Sequence, residues 1–531
     1  MYLRRVVIKN YRAIRDATVD FKPGLTIIVG DNEAGKSTLL EAIQLAITGR
    51  LGGRHLKSQL HPLLFNMEAC RAFIEARNAG TPEEPPHILI EVYFSDDDEL
   101  VPLKGNNNSL REDAAGISLR IALADHLTED FATYVAAAPE PHLLPTELFE
   151  VEWRSFADAR LSGRRPLFRS KLIAAGTGDA RHGTTRYLSG MVDEHLTDDE
   201  QLKLALAYRS MKQVFQRHDT VQKLNAELLS RRGEVSSKTL SLAMDVTSST
   251  SWQHGIAAML DDIPLGFVGS GEQAAVRVWL ALDDAKEGAH LVMVEEPESH
   301  LSHSRLNVLL DRMCKQAGER QLIVTTHSSF VLNKLGLDEL LLFNRSASLR
   351  LTELTPGTSA YFKKLPGHDT LRLVLATRVI LVEGPSDELV VQRAYRDQHG
   401  KRPLDEGVDV LAVRSLSFER YLDIAVKLNK RVGVLVDNDG DVERVRDKYA
   451  RFGEFANVTI CFSDDANTRT LEPLLARHNA IDKLNRVLRK SFKSHEAAIK
   501  WMLSDKTEAA LRIHDAGENL DYPECIARVV A

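Results

Sequence analysis

The sequence predicts an α/β protein in which two blocks of alternating strand and helix flank a helical segment. Three observations carry this expectation. Short apolar runs rich in β-branched residues recur along the chain, the pattern of buried parallel strands. A glycine-rich turn joins one of these runs to an amphipathic helix. Between them, residues 198–232 are charged and nearly free of Gly and Pro, as a helical insertion would be.

In order, residues 3–8 and 24–29 read as strands, with a helix from about Lys36. Residues 88–94 are a strong strand, Ile-Leu-Ile-Glu-Val-Tyr-Phe. In the insertion, Leu202, Leu204, Leu206, Met211, Val214 and Phe215 form a helical apolar face. Alternation resumes near Gly266, with strands at 290–294 and 321–325. Turn residues cluster at 354–358 and 366–367. A second α/β pattern follows: strand 379–382, helix 385–399, strand 408–413, helix 418–428, strands 432–436 and 458–462, and a mostly helical tail from 476. The expected domains are a first α/β half (1–150), a helical insert (151–255), a second α/β half (256–355), a linker (356–370) and a C-terminal domain (371–531).

Composition narrows the class. At roughly 150 residues per domain, 531 residues suggest three or four domains. Hydrophobic and charged shares of 44% and 27% are those of a globular chain and exclude a disordered or disulfide-stapled one. No run approaches the ~18 apolar residues of a spanning helix. The first nine residues show no signal-peptide pattern, and Cys70, Cys314, Cys461 and Cys525 form no CxxC pair. A cytoplasmic protein without a membrane partner is expected. The net charge of −7 rules out a global basic footprint for nucleic acid. Two local patches remain, Arg154/Arg160/Arg164/Arg165/Arg169/Lys171 and Arg486/Arg489/Lys490/Lys493. Each is either a solvated helix face or a nucleic-acid contact.

Gly30-Asp31-Asn32-Glu33-Ala34-Gly35-Lys36-Ser37 fits G-x-x-x-x-G-K-[ST] between a strand and a helix. Glycines let backbone N–H groups wrap phosphate oxygens, Lys36 reaches the outer phosphates, and Ser37 can ligate Mg²⁺. Thr38 continues the helix start. A second element, Leu291-Val292-Met293-Val294-Glu295-Glu296-Pro297-Glu298, ends a strand in acids. Glu295 would serve the Mg²⁺ shell and Glu296 would orient or deprotonate water. Gly269-Ser270-Gly271-Glu272-Gln273 lies upstream and Thr325-Thr326-His327-Ser328 downstream.

This order of motifs resembles the ABC-type ATPase heads of the RecF and SMC group. The resemblance implies ATP sites shared between two protomers, with Ser270 and Gly271 of one chain capping the ATP held by Lys36 of the other. It also implies that His327 senses the γ-phosphate. Glu295 stands where the group has Asp. No transport module accompanies the head, and the insert is too short for a long coiled-coil arm.

A second acidic set lies C-terminal to the head. Val379-Ile380-Leu381-Val382-Glu383-Gly384-Pro385-Ser386-Asp387 places Glu383 at a strand's carboxyl edge. Asp387, near the next helix start, either ligates metal or compensates the helix dipole. Val432-Gly433-Val434-Leu435-Val436-Asp437-Asn438-Asp439-Gly440-Asp441 ends another strand in alternating acids. In an extended segment, alternation would direct Asp437 and Asp439 to one side, where mutual repulsion favours Mg²⁺ or Mn²⁺; an acidic surface turn is the other reading.

Glu383, Asp437 and Asp439 resemble the acids of Toprim domains in topoisomerases, primases and some nucleases. With Thr470-Leu471-Glu472-Pro473 and Ser504-Asp505-Lys506-Thr507-Glu508 further on, head and Toprim together look like the OLD (overcoming lysogenization defect) family. That group includes the GajA subunit of Gabija anti-phage systems and some retron effectors. The resemblance implies metal-dependent nicking or cleavage of DNA, with ATP acting through the head and a helical dimerisation insert. In a two-metal arrangement, Glu383, Asp387, Asp437, Asp439 and Glu472 are assigned to the ions and Lys506 to transition-state charge. A homodimer or homotetramer follows, with an accessory helicase or retron components as further partners. A RecF-like DNA clamp with structural Toprim acids is the alternative. A topoisomerase would need a tyrosine on a separate module, for which the chain has no room.

Overall fold

The computed structural model describes residues 1–31, 33–81, 84–137, 143–161, 167–174, 198–230, 242, 259–269, 271–273, 275–276, 289–299, 301–316, 320–345, 347–350, 353–354, 357–358, 372–373, 375–413 and 418–531. Two compact units divide the chain. One comprises residues 1–173, 282–298 and 310–531, the other 174–281 and 299–309.

The first unit opens with β1 (Leu3–Tyr11), β2 (Ile14–Asp20), β3 (Leu25–Val29) and α1 (Lys36–Thr48). It continues through β4 (Ile88–Phe94), β5 (Ala114–Leu123), β6 (Phe149–Ser155), β7 (Ser170–Ala174), β8 (Leu291–Glu295), β9 (Gln321–Thr325), β10 (Leu340–Asn344) and β11 (Ala347–Arg350). One sheet is antiparallel, in the order β2-β1-β4-β5, with β6 on β5. The other runs β7-β8-β9-β3-β10-β11, and β8, β9, β3 and β10 are parallel. Every residue of β3 and β9 is buried, as parallel strands covered on both faces must be. In β2, by contrast, Ile14, Ala17 and Val19 are buried and their neighbours exposed, an edge strand with one wet face.

The expected boundary at residue 150 needs correction, because it falls inside β6. This strand pairs with β5 along its whole length, and its Trp153 donates to the Ala46 carbonyl at the end of α1, 2.7 Å away. Its mixed pattern Phe-Glu-Val-Glu-Trp-Arg-Ser sits on a sheet edge with only its ends buried, which is why it lacked an apolar signal.

Gln321 joins the two head sheets. It is 2% exposed, accepts from the Leu3 amide at 2.8 Å and donates to the Leu3 and Lys22 carbonyls at 2.9 and 3.0 Å. One side-chain amide thereby satisfies the buried start of β1.

The C-terminal α/β domain has four parallel strands, β12 (Arg378–Val382), β13 (Val408–Ala412), β14 (Arg431–Leu435) and β15 (Val458–Cys461), in the order β13-β12-β14-β15. Its helices are α2 (Pro385–His399), α3 (Phe418–Lys427), α4 (Leu471–His478), α5 (Ile481–Leu488), α6 (His495–Ser504), α7 (Lys506–Asp515) and α8 (Glu524–Val530). Apolar residues of α2, α4, α5, α7 and α8 close one core with Ile380, Val382, Val408 and Val410. The expected turn at 366–367 lies outside the described residues.

In the second unit, the expected insertion is two helices, Asp198–Gln216 and Asp219–Ser230. Leu202, Leu206, Met211 and Val214 are 58%, 56%, 66% and 68% exposed. Among the described residues, no helix is long and apolar enough to cross a membrane.

Replacing Gln321 with Ala leaves the buried Leu3 amide without a partner. The expected cost is about 2–4 kcal/mol, read as a lowered unfolding midpoint by scanning calorimetry. An unchanged midpoint would show that the two sheets are held together elsewhere.

Candidate functional sites

The head's loop wraps itself around its own lysine. At Gly30 a Cβ would lie 2.2 Å from the Phe343 carbonyl oxygen, so only glycine lets the loop lie on β10. Gly35 takes φ 86° at the cap of α1, a left-handed turn suited to glycine. Lys36, 4% exposed, donates to the Gly30 and Asp31 carbonyls at 3.0 and 2.8 Å. Burial pushes its pKa down to about 8, against the pull of Glu296, Asp31, Glu295 and Glu298. Ser37 is exposed and Thr38 half-buried at the start of α1. Asn32 and Ser270 lie outside the described residues. In the second unit, Gly271 heads a helical turn where the Glu272 and Gln273 amides both donate to the Gly269 carbonyl at 3.0 Å.

The parallel strands bring the distant acids to this loop. Glu295 ends β8 in register with Thr325 of β9, and the Ser37 hydroxyl donates to its carboxylate. Glu296 turns left-handed at φ 42°, and its carboxylate meets His327 Nε2 at 3.1 Å. Burial and the Lys36 charge lower the His327 pKa. Glu298, quoted in the motif but given no role, holds this histidine in place. Its Oε1 accepts from Thr326 Oγ1 at 2.7 Å and from the His327 amide at 2.9 Å. A third acid three residues after the first was the available signal.

In the C-terminal domain, β12 and β14 are neighbours with Leu381 opposite Val434. Glu383 and Asp437 therefore leave the sheet side by side, and the Asp437 amide donates to Glu383 Oε1 at 3.2 Å. The alternation argument for Asp439 needs correction: this residue is exposed at φ 51° in a turn, not extended. Buried Asn438 holds the turn by donating to the Ser463 and Asp465 carbonyls at 2.8 and 2.9 Å. Asp439 still lies close enough to raise the Glu383 pKa, after burial. Asp387 Oδ2 accepts from the Gly384 amide at 2.9 Å, so it caps α2, yet it also feels Glu472 and Lys506.

Two residues far along the chain complete the cluster. Glu472, 5% exposed, sits in the first turn of α4, where Thr470 Oγ1 donates to it at 2.7 Å. Lys506 opens α7 with Nζ 3.1 Å from Glu472 Oε1. Burial opposes charge on Lys506, but the Glu472 hydrogen bond and the fields of Asp437 and Asp387 raise its pKa. Burial raises Asp437 to about 8, reinforced by Glu383, Asp387 and Glu472 and opposed by Lys506. Asp387 is raised to about 6, first by burial and then by Glu472.

A link between the two regions was not legible. Buried Lys430, just before β14, donates to the Ala376 carbonyl and lies 3.9 Å from Asp31 Oδ2 in the phosphate loop. Asn344, at the end of β10, donates to the Leu428 carbonyl at 3.1 Å.

Comparison with known proteins gives matches in three stretches of the chain. An AAA domain model matches residues 5–116, and a second AAA domain model, of the AbiEii type IV toxin–antitoxin kind, matches 149–333. The overcoming lysogenization defect protein-like TOPRIM domain matches 374–439, a span with Glu383, Asp387, Asp437 and Asp439 but not Glu472 or Lys506. The DNA replication and repair protein RecF of Psychromonas ingrahamii is 43% identical over 60 residues, 11% of this chain and 17% of that protein. The DNA repair protein RecN of Bacillus subtilis is 25% identical over 170 residues, 25% of this chain and 29% of that protein. An SMC head bound to the C-winged helix domain of ScpA shares 15% identity over 66% of this chain and 99% of its own, with a TM-score of 0.35. The RecF–ATP structure shares 13% over 66% and 97%, with a TM-score of 0.33. Together these matches give the chain AAA-type ATPase stretches followed by an overcoming lysogenization defect-like TOPRIM domain.

Proposed function

We propose that this chain is a divalent-metal-dependent DNA endonuclease, cutting phosphodiesters at its TOPRIM acids under the control of its ATP-binding head. One observation carries the reading. Glu383, Asp387, Asp437 and Glu472, from three segments, are gathered at one sheet edge, and Lys506 is a cation that acts on both Asp437 and Asp387. A structural role alone would not favour burying so many carboxyls together.

The acids fit a divalent cation by charge. Burial and mutual repulsion hold Asp437, Asp387 and Glu383 above the usual carboxylate range, and a cation would reverse both effects. Among the described residues, no three His, Cys, Asp or Glu already stand in ligand geometry around one point. The fit is therefore one of charge and position on the sheet edge, not of a closed cage. Glu383, Asp437 and Asp439 are the proposed holders on one side, Asp387 and Glu472 on the other. Bound there, Mg²⁺ or Mn²⁺ would polarise the phosphoryl oxygen and acidify a water. Lys506, held by Glu472, offers its ammonium to the charge that builds on the phosphate. The Asp437 amide keeps the Glu383 carboxylate aimed along the edge.

In the head, Lys36 is the proposed ligand of ATP's outer phosphates, exchanging its bonds to Gly30 and Asp31 for phosphate oxygens. Ser37 and Glu295 are proposed to share Mg²⁺, and Glu296 with His327 to handle the attacking water and the γ-phosphate. The chain is proposed to work as a homodimer or larger even assembly through the exposed apolar face of 198–230. An anti-phage role, a cytoplasmic location and a helicase or retron partner belong to the same reading.

Purified protein with supercoiled plasmid and Mg²⁺ or Mn²⁺ should yield nicked or linear DNA. Lys506→Ala should lower the rate roughly 10²-fold or more, and Asp437→Ala or Glu383→Ala should abolish it with ATP hydrolysis intact. DNA bound but left uncut would favour the RecF-like clamp. Lys36→Ala should lose ATP binding, and Glu296→Gln should bind ATP but hydrolyse it slowly; wild-type hydrolysis in both would exclude the ATPase assignment.

Charge burial makes a separate forecast. A carboxyl whose folded pKa is raised holds more protons folded than unfolded, so stability falls as pH rises between the two values. For Asp437 that window runs from about 4 to about 8. Metal-free Asp437→Asn should melt higher than wild type at pH 8, with the difference vanishing near pH 4, although it cannot cut. Equal melting at pH 8 would mean that Asp437 is not charge-stressed.

A further inference from the structure

The basic patch at 486–493 reads differently once folded. Arg486 leaves it: its guanidinium holds Glu518 at 2.8 and 2.9 Å. Lys500 of α6 joins the same helix–turn–helix. Arg489, Lys490, Lys493 and Lys500 are all exposed, and among the described residues none is in an ion pair. Elsewhere exposed cations find acids, as in Arg402–Asp405 and Arg446–Glu443 at 3.0 and 2.7 Å. Glu496, the acid on this segment, is turned toward Ser494 and its own backbone. Four cations within twelve residues thus remain unneutralised in a chain whose net charge is −7.

The segment is also rigid and anchored to the site. Asn485 clamps the turn, accepting from the Phe492 amide at 2.7 Å and donating to its carbonyl at 3.0 Å, while the Lys490 amide donates to the Asn485 carbonyl at 3.0 Å. Lys490 Nζ stands 5.0 Å over the Trp501 ring, a cation–π contact that holds the ammonium without cancelling its charge. Arg512 of α7 donates to the Leu488 carbonyl at 2.6 Å, tying the turn to the helix that begins at Lys506. Arg512 is six residues from Lys506, about 9 Å along α7. The helices that carry the patch, α5 and α6, both pack against α7, the helix that brings Lys506 to the acidic cluster.

We propose that the α5–α6 turn and the start of α6 form a ledge for the phosphate backbone of duplex DNA, seating the strand to be cut over the TOPRIM acids. The inference rests on the nuclease reading. An acidic cleft repels the polyanion it must cut, so a preorganised run of free cations beside it supplies the attraction. Neither protein nor membrane is favoured as the occupant, because no large apolar side chain between residues 489 and 500 is exposed and the Trp501 ring beside Lys490 is partly buried.

The test uses the full chain, EDTA and a fluorescent 30-base-pair duplex, with binding titrated across a salt series. The triple variant Lys490→Gln/Lys493→Gln/Lys500→Gln should bind at least about tenfold more weakly, with a log–log salt slope shallower by roughly 2–3. ATP hydrolysis and the melting midpoint should stay as in wild type, and Lys401→Gln, paired with Glu406 on another surface, should change nothing. With Mg²⁺ or Mn²⁺, saturating DNA should restore the variant's cutting rate. An unchanged salt slope in a wild type that cuts DNA would overturn the ledge and leave the nuclease standing. A lost slope in a protein that never cuts would overturn the nuclease and leave the ledge.

Discussion

A parallel strand buried on both faces must be largely apolar and can free charged side chains only where it leaves the sheet, and both candidate sites depend on that constraint. In the head, β8 is apolar over residues 291–294 and β9 over residues 322–324, and the strands release Glu295, Glu296 and His327 beside the phosphate loop that follows β3. In the TOPRIM domain, β12 and β14 do the same with Glu383 and Asp437. Parallel pairing puts all these ends on one edge, so residues hundreds of positions apart meet without any long side chain reaching for them.

Each site is held in order by substitutes for what it is proposed to bind. Lys36, the proposed phosphate ligand, donates to its own loop's carbonyls, and Ser37, a proposed metal ligand, donates to Glu295. Glu298 fixes the His327 backbone, so the imidazole partners Glu296 without being free to swing away. In the TOPRIM cluster Lys506 balances Glu472, while Asp437 and Asp387 remain under strain from burial. That asymmetry suits a site that gains most from a cation. Just before β14, Lys430 stands beside Asp31 of the phosphate loop, and Asn344 at the end of β10 holds the Leu428 carbonyl.

The motifs were legible because each is a local property. A glycine turn between strand and helix, acids at the end of an apolar run, and a helix without glycine or proline all announce themselves within ten residues. The strands β4 and β9, and the helix α2, stand where their patterns put them. Less regular elements were not legible. The edge strand β6 alternates charge with apolar residues, and the Asp439 turn obeys Asn438 and Gly440 instead of strand periodicity.

By itself, then, the sequence determined the kinds of chemistry present and their order along the chain, since backbone geometry and hydrophobic period are written in neighbouring residues. The tertiary structure alone decided which distant groups share a field. Lys506 with Glu472, Lys430 with Asp31, Glu298 with His327, and Arg486 withdrawn from its patch by Glu518 are contacts between segments whose approach is set by packing. Electrostatic energy depends on separation and burial, and neither exists until the chain has folded.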